Sequence, residues 1–196
     1  MERLVLEGLV TTIGGDGQVN VAPMGPLVDR QFRSFVLRPF QTSRTFENLR
    51  RGSPLVVHVT DDVELLAAAA IGAATDALIG PTTRCSQTGG VILQNACRWY
   101  ALQVKQLDDA AERATIECDV VAAGRKRDFF GLNRALHAVV EAAILATRVD
   151  FLPLAEIQAD LQRLQPLVQK TGGAAEQRAF QQICDYVAAA QSRTGD

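Results

Sequence analysis

Arg38, Thr42, Ser43, Arg44 and Thr45 crowd together where a strand-like pattern, "RSFVLRP" (33–39), gives way to a helix-like one, "SRTFENLRRG" (43–52). The opening turn of a helix carries unsatisfied backbone N–H groups and partial positive charge. Hydroxyls add directional donors there, and arginines add forked, charge-assisted ones. Together these are the parts of a phosphate site. The same residues also have an ordinary reading, because serine and threonine routinely cap helices and arginines are common on surfaces. Just upstream, Ala22-Pro23-Met24-Gly25 places a proline and a glycine in a strand pattern. Backbone groups freed from the ladder there could meet the rim of a planar heteroaromatic ring, or could simply form a bulge at a barrel corner.

The surrounding elements follow from periodicity and turn chemistry. "RLVLEGLVTTI" (3–13) and "QVNVAP" (18–23) read as strands joined by Gly14-Gly15-Asp16-Gly17, a hairpin turn. A strand follows these glycines where a dinucleotide fingerprint needs a helix, so they are not one. The 33–39 strand stops at Pro39, and "PLVVHVTD" (54–61) is a further strand with a nearly unbroken apolar run. Residues 63–74 read as helical and 80–90 as a loop able to gate a site. Long strands follow near 91–107 and 112–124. Six or so strands with short connections imply a small antiparallel barrel.

After "GRKRD" (124–128) the pattern turns helical over 132–148, 154–169 and 174–191, with Pro166 expected to kink or end the second helix. Two domains are therefore expected, 1–126 and 127–196. On the 132–148 helix, Arg134, His137, Glu141 and Arg148 share a stripe about 60° wide. That stripe is either a solvent face or a set of groups reaching a ligand. Ala135, Ala138, Ala142 and Ala146 form a small-residue face suited to close packing on another helix or a partner chain.

Composition narrows the function classes. A net charge of −2 over 196 residues argues against general nucleic-acid or membrane-surface binding. The longest apolar run, Leu65–Ala74, is too short to span a bilayer, and no leader pattern follows Met1. Cys85, Cys97, Cys118 and Cys184 form no CxxC pair, and only His58 and His137 could join them, so no metal site is expected. Four buried thiols in a reducing cytoplasm are the expectation.

The combination "VNVAPMG", "LRPF", "TSRTFENL" and "VVHVTDD" resembles the FMN-binding split-barrel flavoproteins, the class of flavin reductases and pyridoxamine-phosphate oxidases. It is most similar to a prokaryotic branch of that class with an added helical segment, matched here by "GLNRALHAVVEAAILATR" (131–148). The resemblance implies an α+β fold, a mostly β FMN-binding split barrel followed by a C-terminal helical subdomain. It implies FMN as cofactor, with Pro23, Met24 and Gly25 along the isoalloxazine and Leu37, Arg38 and Pro39 over the ring and ribityl chain. Thr42, Ser43 and Thr45 would hold the phosphate, Arg38 or Arg44 would supply charge, and Asn48 would bridge the short helix to the site. His58 stands where asparagine is expected, which leaves its contact with the ring open. Asn133, Arg134, His137 and Arg148 are candidates for the substrate side. The class further implies a homodimer with flavin near the interface and transient NAD(P)H or another donor. The reading is an FMN-dependent oxidoreductase of the cytoplasm acting on a small molecule. The alternatives are a flavin carrier, sensor or assembly protein, or a barrel without flavin serving as an interaction module.

Overall fold

The computed structural model describes residues 3–194. By packing, the chain forms two compact units, Met1–Thr60 with Ile79–Asp128, and Asp61–Leu78 with Phe129–Asp196.

The first unit holds strands β1 (Leu4–Val5), β2 (Gly8–Ile13), β3 (Val19–Met24), β4 (Leu27–Val28) and β5 (Ser34–Leu37), then helix α1 (Arg44–Arg50). Strands β6 (Leu55–Val59), β7 (Thr82–Arg84), β8 (Val91–Leu93), β9 (Arg98–Asp108) and β10 (Thr115–Arg125) complete it. Eight strands form one antiparallel sheet in the order β1-β4-β5-β10-β9-β6-β2-β3. The 3–13 segment is thus two strands, β1 at one end of the sheet and β2 near the other. Only Leu6 and Glu7 join them, while Gly25 and Pro26 join β3 to β4. Two such short links require the sheet to curl until its ends meet, which makes it a barrel. Leu6 N–H donates to Pro26 O across that seam at 3.0 Å. A side chain at Gly25 would meet the Val5 Cγ1 methyl at 2.7 Å and the Glu7 carboxylate at 2.9 Å, so both side chains would have to shift to admit one at this crossing.

The barrel interior packs Val10, Phe35, Leu37, Phe46, Leu49, Val57, Tyr100 and Ile116. Strand β6 explains its unbroken apolar run, since both its faces are covered. Val57 points into the barrel, whereas Val56 lies outside with Cys85, Ile92 and Ala101. The 80–90 segment is not simply a loop: β7 pairs with β8 as a hairpin, and Arg84 Nη1 donates to Gly89 O across its turn at 3.1 Å. Strands β9 and β10 bend through register shifts at Glu117/Cys118 and Val120/Ala122, as bulges do where long strands serve a curved sheet.

In the second unit, helices α2 (Val63–Ala70), α4 (Arg134–Ala146), α5 (Leu154–Thr171) and α6 (Ala174–Thr194) pack on one another, with the short α3 (Asp76–Ile79) shared between the two units. Ala135, Ala138, Ala142 and Ala146 are all buried within it. Of the two expectations for that face, packing on neighbouring helices is the one realised. Helix α5 runs through Pro166 instead of stopping there. Pro166 and Gln162 are both exposed, so the carbonyl that loses its partner faces water, while Leu161 and Val168 are buried on either side. An interior proline ordinarily costs about 3 kcal/mol against alanine. With solvation relieving part of that, Pro166→Ala is expected to raise stability by about 1–2 kcal/mol. The urea midpoint should rise with an unchanged slope.

No helix among the described residues is long and apolar enough to cross a membrane. All four cysteines are free, with Cys85, Cys97 and Cys118 buried and Cys184 half-buried. Among the described residues no cluster of histidine, cysteine and acidic side chains could hold a metal ion.

Candidate functional site

The segment between β5 and α1 is held at several points. Ala114 N–H donates to Pro39 O at 3.0 Å, and Gln41 N–H donates to Glu112 O at 3.2 Å. Gln41 Nε2 adds bonds to Asp109 O at 2.6 Å and Ala111 O at 2.7 Å. Arg113 lies over the Phe40 ring, 3.9 Å from its centroid. The strand alternation then decides what faces outward. Leu37 and Pro39 are buried, and Arg38 between them is exposed. Pro39 also biases Arg38 towards extended backbone, which ends the strand without starting the helix.

Helix α1 begins after Ser43, whose Oγ accepts from Phe46 N–H at 3.2 Å as the N-cap. Thr42 and Arg44 are exposed. Neither Arg38 nor Arg44 has an acidic or hydrogen-bonded side-chain partner among the described residues. Four arginines and one glutamate fall between residues 38 and 51, so the local charge is positive in a chain whose net charge is −2.

Thr45 and Asn48 lie on the inner side of α1, 3 % and 0 % exposed. They belong to a polar cluster that also takes in Thr12 of β2, Asn20 of β3 and Arg51. Asn20 Nδ2 donates to Thr12 Oγ1 and to Thr45 Oγ1, both at 3.1 Å. Asn48 Nδ2 donates to Thr12 Oγ1 at 3.0 Å, and Arg51 Nη2 donates to Asn48 Oδ1 at 2.6 Å. Thr12, Asn20 and Arg51 are not among the residues singled out by spacing. Hairpin arithmetic could have found the first two, because the Gly14–Gly17 turn sets Thr12 opposite Asn20 in the β2–β3 register.

The other expected residues are distributed as follows. Pro23 and Met24 lie within β3 and do not interrupt it; they pair with Leu9 and Gly8. β3 is the terminal strand of the sheet, where a missing N–H costs no ladder bond. Both residues are half-buried, and Gly25 sits at the barrel seam. His58 is fully enclosed, with Nδ1 3.3 Å from Leu9 O and Nε2 accepting from Leu93 N–H at 3.2 Å. Nε2 must therefore be unprotonated and Nδ1 must carry the hydrogen. Burial holds the His58 pKa down at about 4 against the opposing pull of the Leu9 carbonyl. Asn133, Arg134, His137 and Arg148 all belong to the second unit. Asn133 caps α4, accepting from Ala135 and Leu136 N–H, and its Nδ2 donates to Thr171 O at 3.0 Å. Arg134, His137 and Arg148 are exposed there.

The donor set fits a phosphate monoester. Two cations without acidic partners among the described residues, one exposed hydroxyl, and a threonine whose oxygen already accepts a hydrogen converge in sequence on one anchored connection. A planar, phosphate-bearing group such as FMN is of the right chemistry for them.

Residues 6–127 match the family model described as protein of unknown function (DUF447) N-terminal domain, and residues 133–185 match the one described as protein of unknown function (DUF447). Comparison with curated proteins finds no match. Among solved structures, an FMN-bound DUF447 protein from Methanosarcina mazei superposes with a TM-score of 0.80 at 21% identity, covering 94% of this chain and 96% of that one. The 2-nitrobenzoate 2-nitroreductase of Pseudomonas fluorescens gives 0.51 at 16% identity, over 61% of this chain and 64% of the other. An FMN-binding protein from Thermus thermophilus with bound 1-cyclohex-2-enone gives 0.51 at 14% identity, over 63% and 72%. These likenesses carry the fold: a split barrel with a helical segment after it, as the motifs implied.

Proposed function

Because the chain belongs to the DUF447 family across most of its length, we propose that it is an FMN-binding flavoprotein, an oxidoreductase acting on a small molecule. The observation that carries the reading is the exposed Arg38 and Arg44, without acidic partners among the described residues, on the anchored β5–α1 connection. The FMN bound by the Methanosarcina relative supports it. When bound, FMN supplies hydride or single-electron transfer.

The chain's own residues supply binding and orientation. Arg38 and Arg44 neutralise the phosphate, and Thr42 and Thr45 donate to it. Ser43 caps α1 through its oxygen and keeps its own O–H to donate to the phosphate. Pro23 and Met24 on the terminal strand β3 present apolar surface and backbone to the ring. Leu37 and Pro39, with side chains turned inward, offer backbone only. Asn48 and His58 act from inside the unit, by holding α1 and the strands. Gly25 lies beside Met24 at the barrel seam and offers backbone without a side chain. The chain divides into a barrel and a helical subdomain, and residues 61–78, expected within the barrel's 1–126, go with the helices. A cytoplasmic homodimer with FMN near its interface completes the reading.

Purified protein should be yellow, with an absorbance band at about 450 nm. Anaerobic mixing with NADH or NADPH should bleach it. A coloured protein that no reductant of this kind bleaches would be a carrier or sensor. Protein that is colourless and takes up no added FMN would remove the flavin reading.

A further inference from the structure

The polarity of the cluster under α1 can be read bond by bond. An arginine only donates, so Arg51 forces Asn48 to turn Oδ1 towards it. That leaves Asn48 Nδ2 as donor to Thr12 Oγ1. Thr12 Oγ1 takes a second hydrogen from Asn20 Nδ2, whose other hydrogen goes to Thr45 Oγ1. Thr45 Oγ1 is thus an acceptor towards Asn20, and its own proton must point elsewhere. A hydroxyl held in that state is a donor waiting for an acceptor. Threonine without such a neighbour could satisfy itself by donating inward.

We infer that Thr12 and Asn20 are positioning residues that set the Thr45 hydroxyl as a hydrogen-bond donor to the phosphate of FMN. The inference rests on the flavin reading and adds to it two strand residues from the β2–β3 hairpin. They touch no ligand themselves. Their effect passes through one hydroxyl, so it is specific to the phosphate and leaves the ring unaffected.

FMN and riboflavin differ by that phosphate and serve as the two probes, with dissociation constants read from flavin fluorescence quenching on the full chain. Asn20→Asp replaces the donor by an acceptor, so Thr45 turns its proton inward. Thr12→Val keeps the shape and removes the oxygen, while Thr12→Ser retains it. Asn20→Asp and Thr12→Val are expected to weaken FMN binding by about tenfold and to leave riboflavin within about twofold, and Thr12→Ser to match the parent protein. Thr12 is buried at 1 % exposure, so its valine variant is also checked by thermal melting. Asn20 is only half-buried and carries the test if that variant does not fold. Folded variants with an unchanged FMN-to-riboflavin ratio overturn the inference and leave the flavin reading standing. A parallel loss of both ligands also overturns it, because that marks a structural role. A parent protein that binds neither probe removes the flavin reading itself.

Discussion

Replacing Arg38 with alanine is expected to weaken FMN binding by roughly ten- to a hundredfold while leaving thermal stability unchanged. A hydrogen bond to a charged group contributes about 1.5–3 kcal/mol, which corresponds to that range. Stability should not move because the side chain is exposed and has no partner of its own among the described residues. The backbone around it is fixed by other groups, through Pro39 O and Gln41. Arg38→Lys should fall between the two, since it keeps the charge and loses the fork. Affinity should also decline with salt in the parent more steeply than in Arg38→Ala, as expected when one cation no longer faces the dianion. Thr45→Ala is the less clean experiment. It removes the oxygen that accepts from Asn20 and leaves a hydrogen without its partner, so binding and stability fall together. If Arg38→Ala holds FMN within about twofold of the parent, the β5–α1 connection is not the phosphate site.

What could be read before the structure is local in origin. The hairpin at Gly14–Gly17, the stop at Pro39 and the cap at Ser43 each depend on neighbours a few residues away, and each is where turn and capping chemistry place it. The apolar run of β6 announced a strand covered on both faces. The break between β1 and β2 was not legible, because what divides them is a bond from Leu6 to Pro26 and the crossing at Gly25. Of the two outcomes expected at Pro166, an end to the helix does not occur, because the freed carbonyl faces solvent and packing on the opposite side keeps the helix together.

The site divides along the same line. Arg38, Thr42 and Arg44 are exposed as their types suggest. Thr45 and Asn48 face inward, and their partners Asn20 and Thr12 are 25 and 36 positions away from them along the chain, beyond any spacing rule for a helix. The place of His58 before "VTDD" left its contact with the ring open. Its enclosure by Leu9 and Leu93 comes from strand pairing and from the β7–β8 hairpin, neither of which the residue's neighbours encode.

That enclosure gives His58 an expected effect of its own, on stability in acid. In the unfolded chain a histidine takes up its proton near pH 6.5; in the folded protein burial holds His58 down at about 4. Between those values the unfolded state binds a proton that the folded state does not. The stabilisation is therefore complete above about pH 6.5 and is lost as pH falls towards 4. At about 1.4 kcal/mol per pH unit the loss is about 3 kcal/mol. Structurally, a proton on Nε2 would set two donors against each other, the ring and Leu93 N–H, and loosen β8 from β6. Carboxylates also titrate in acid, so the histidine is isolated by difference. Urea unfolding of the parent and of His58→Gln should show the variant weaker at pH 7 and less sensitive to acid between pH 6.5 and 4. Equal acid slopes for His58→Gln and the parent would mean that His58 is not the buried neutral histidine the two ring contacts require.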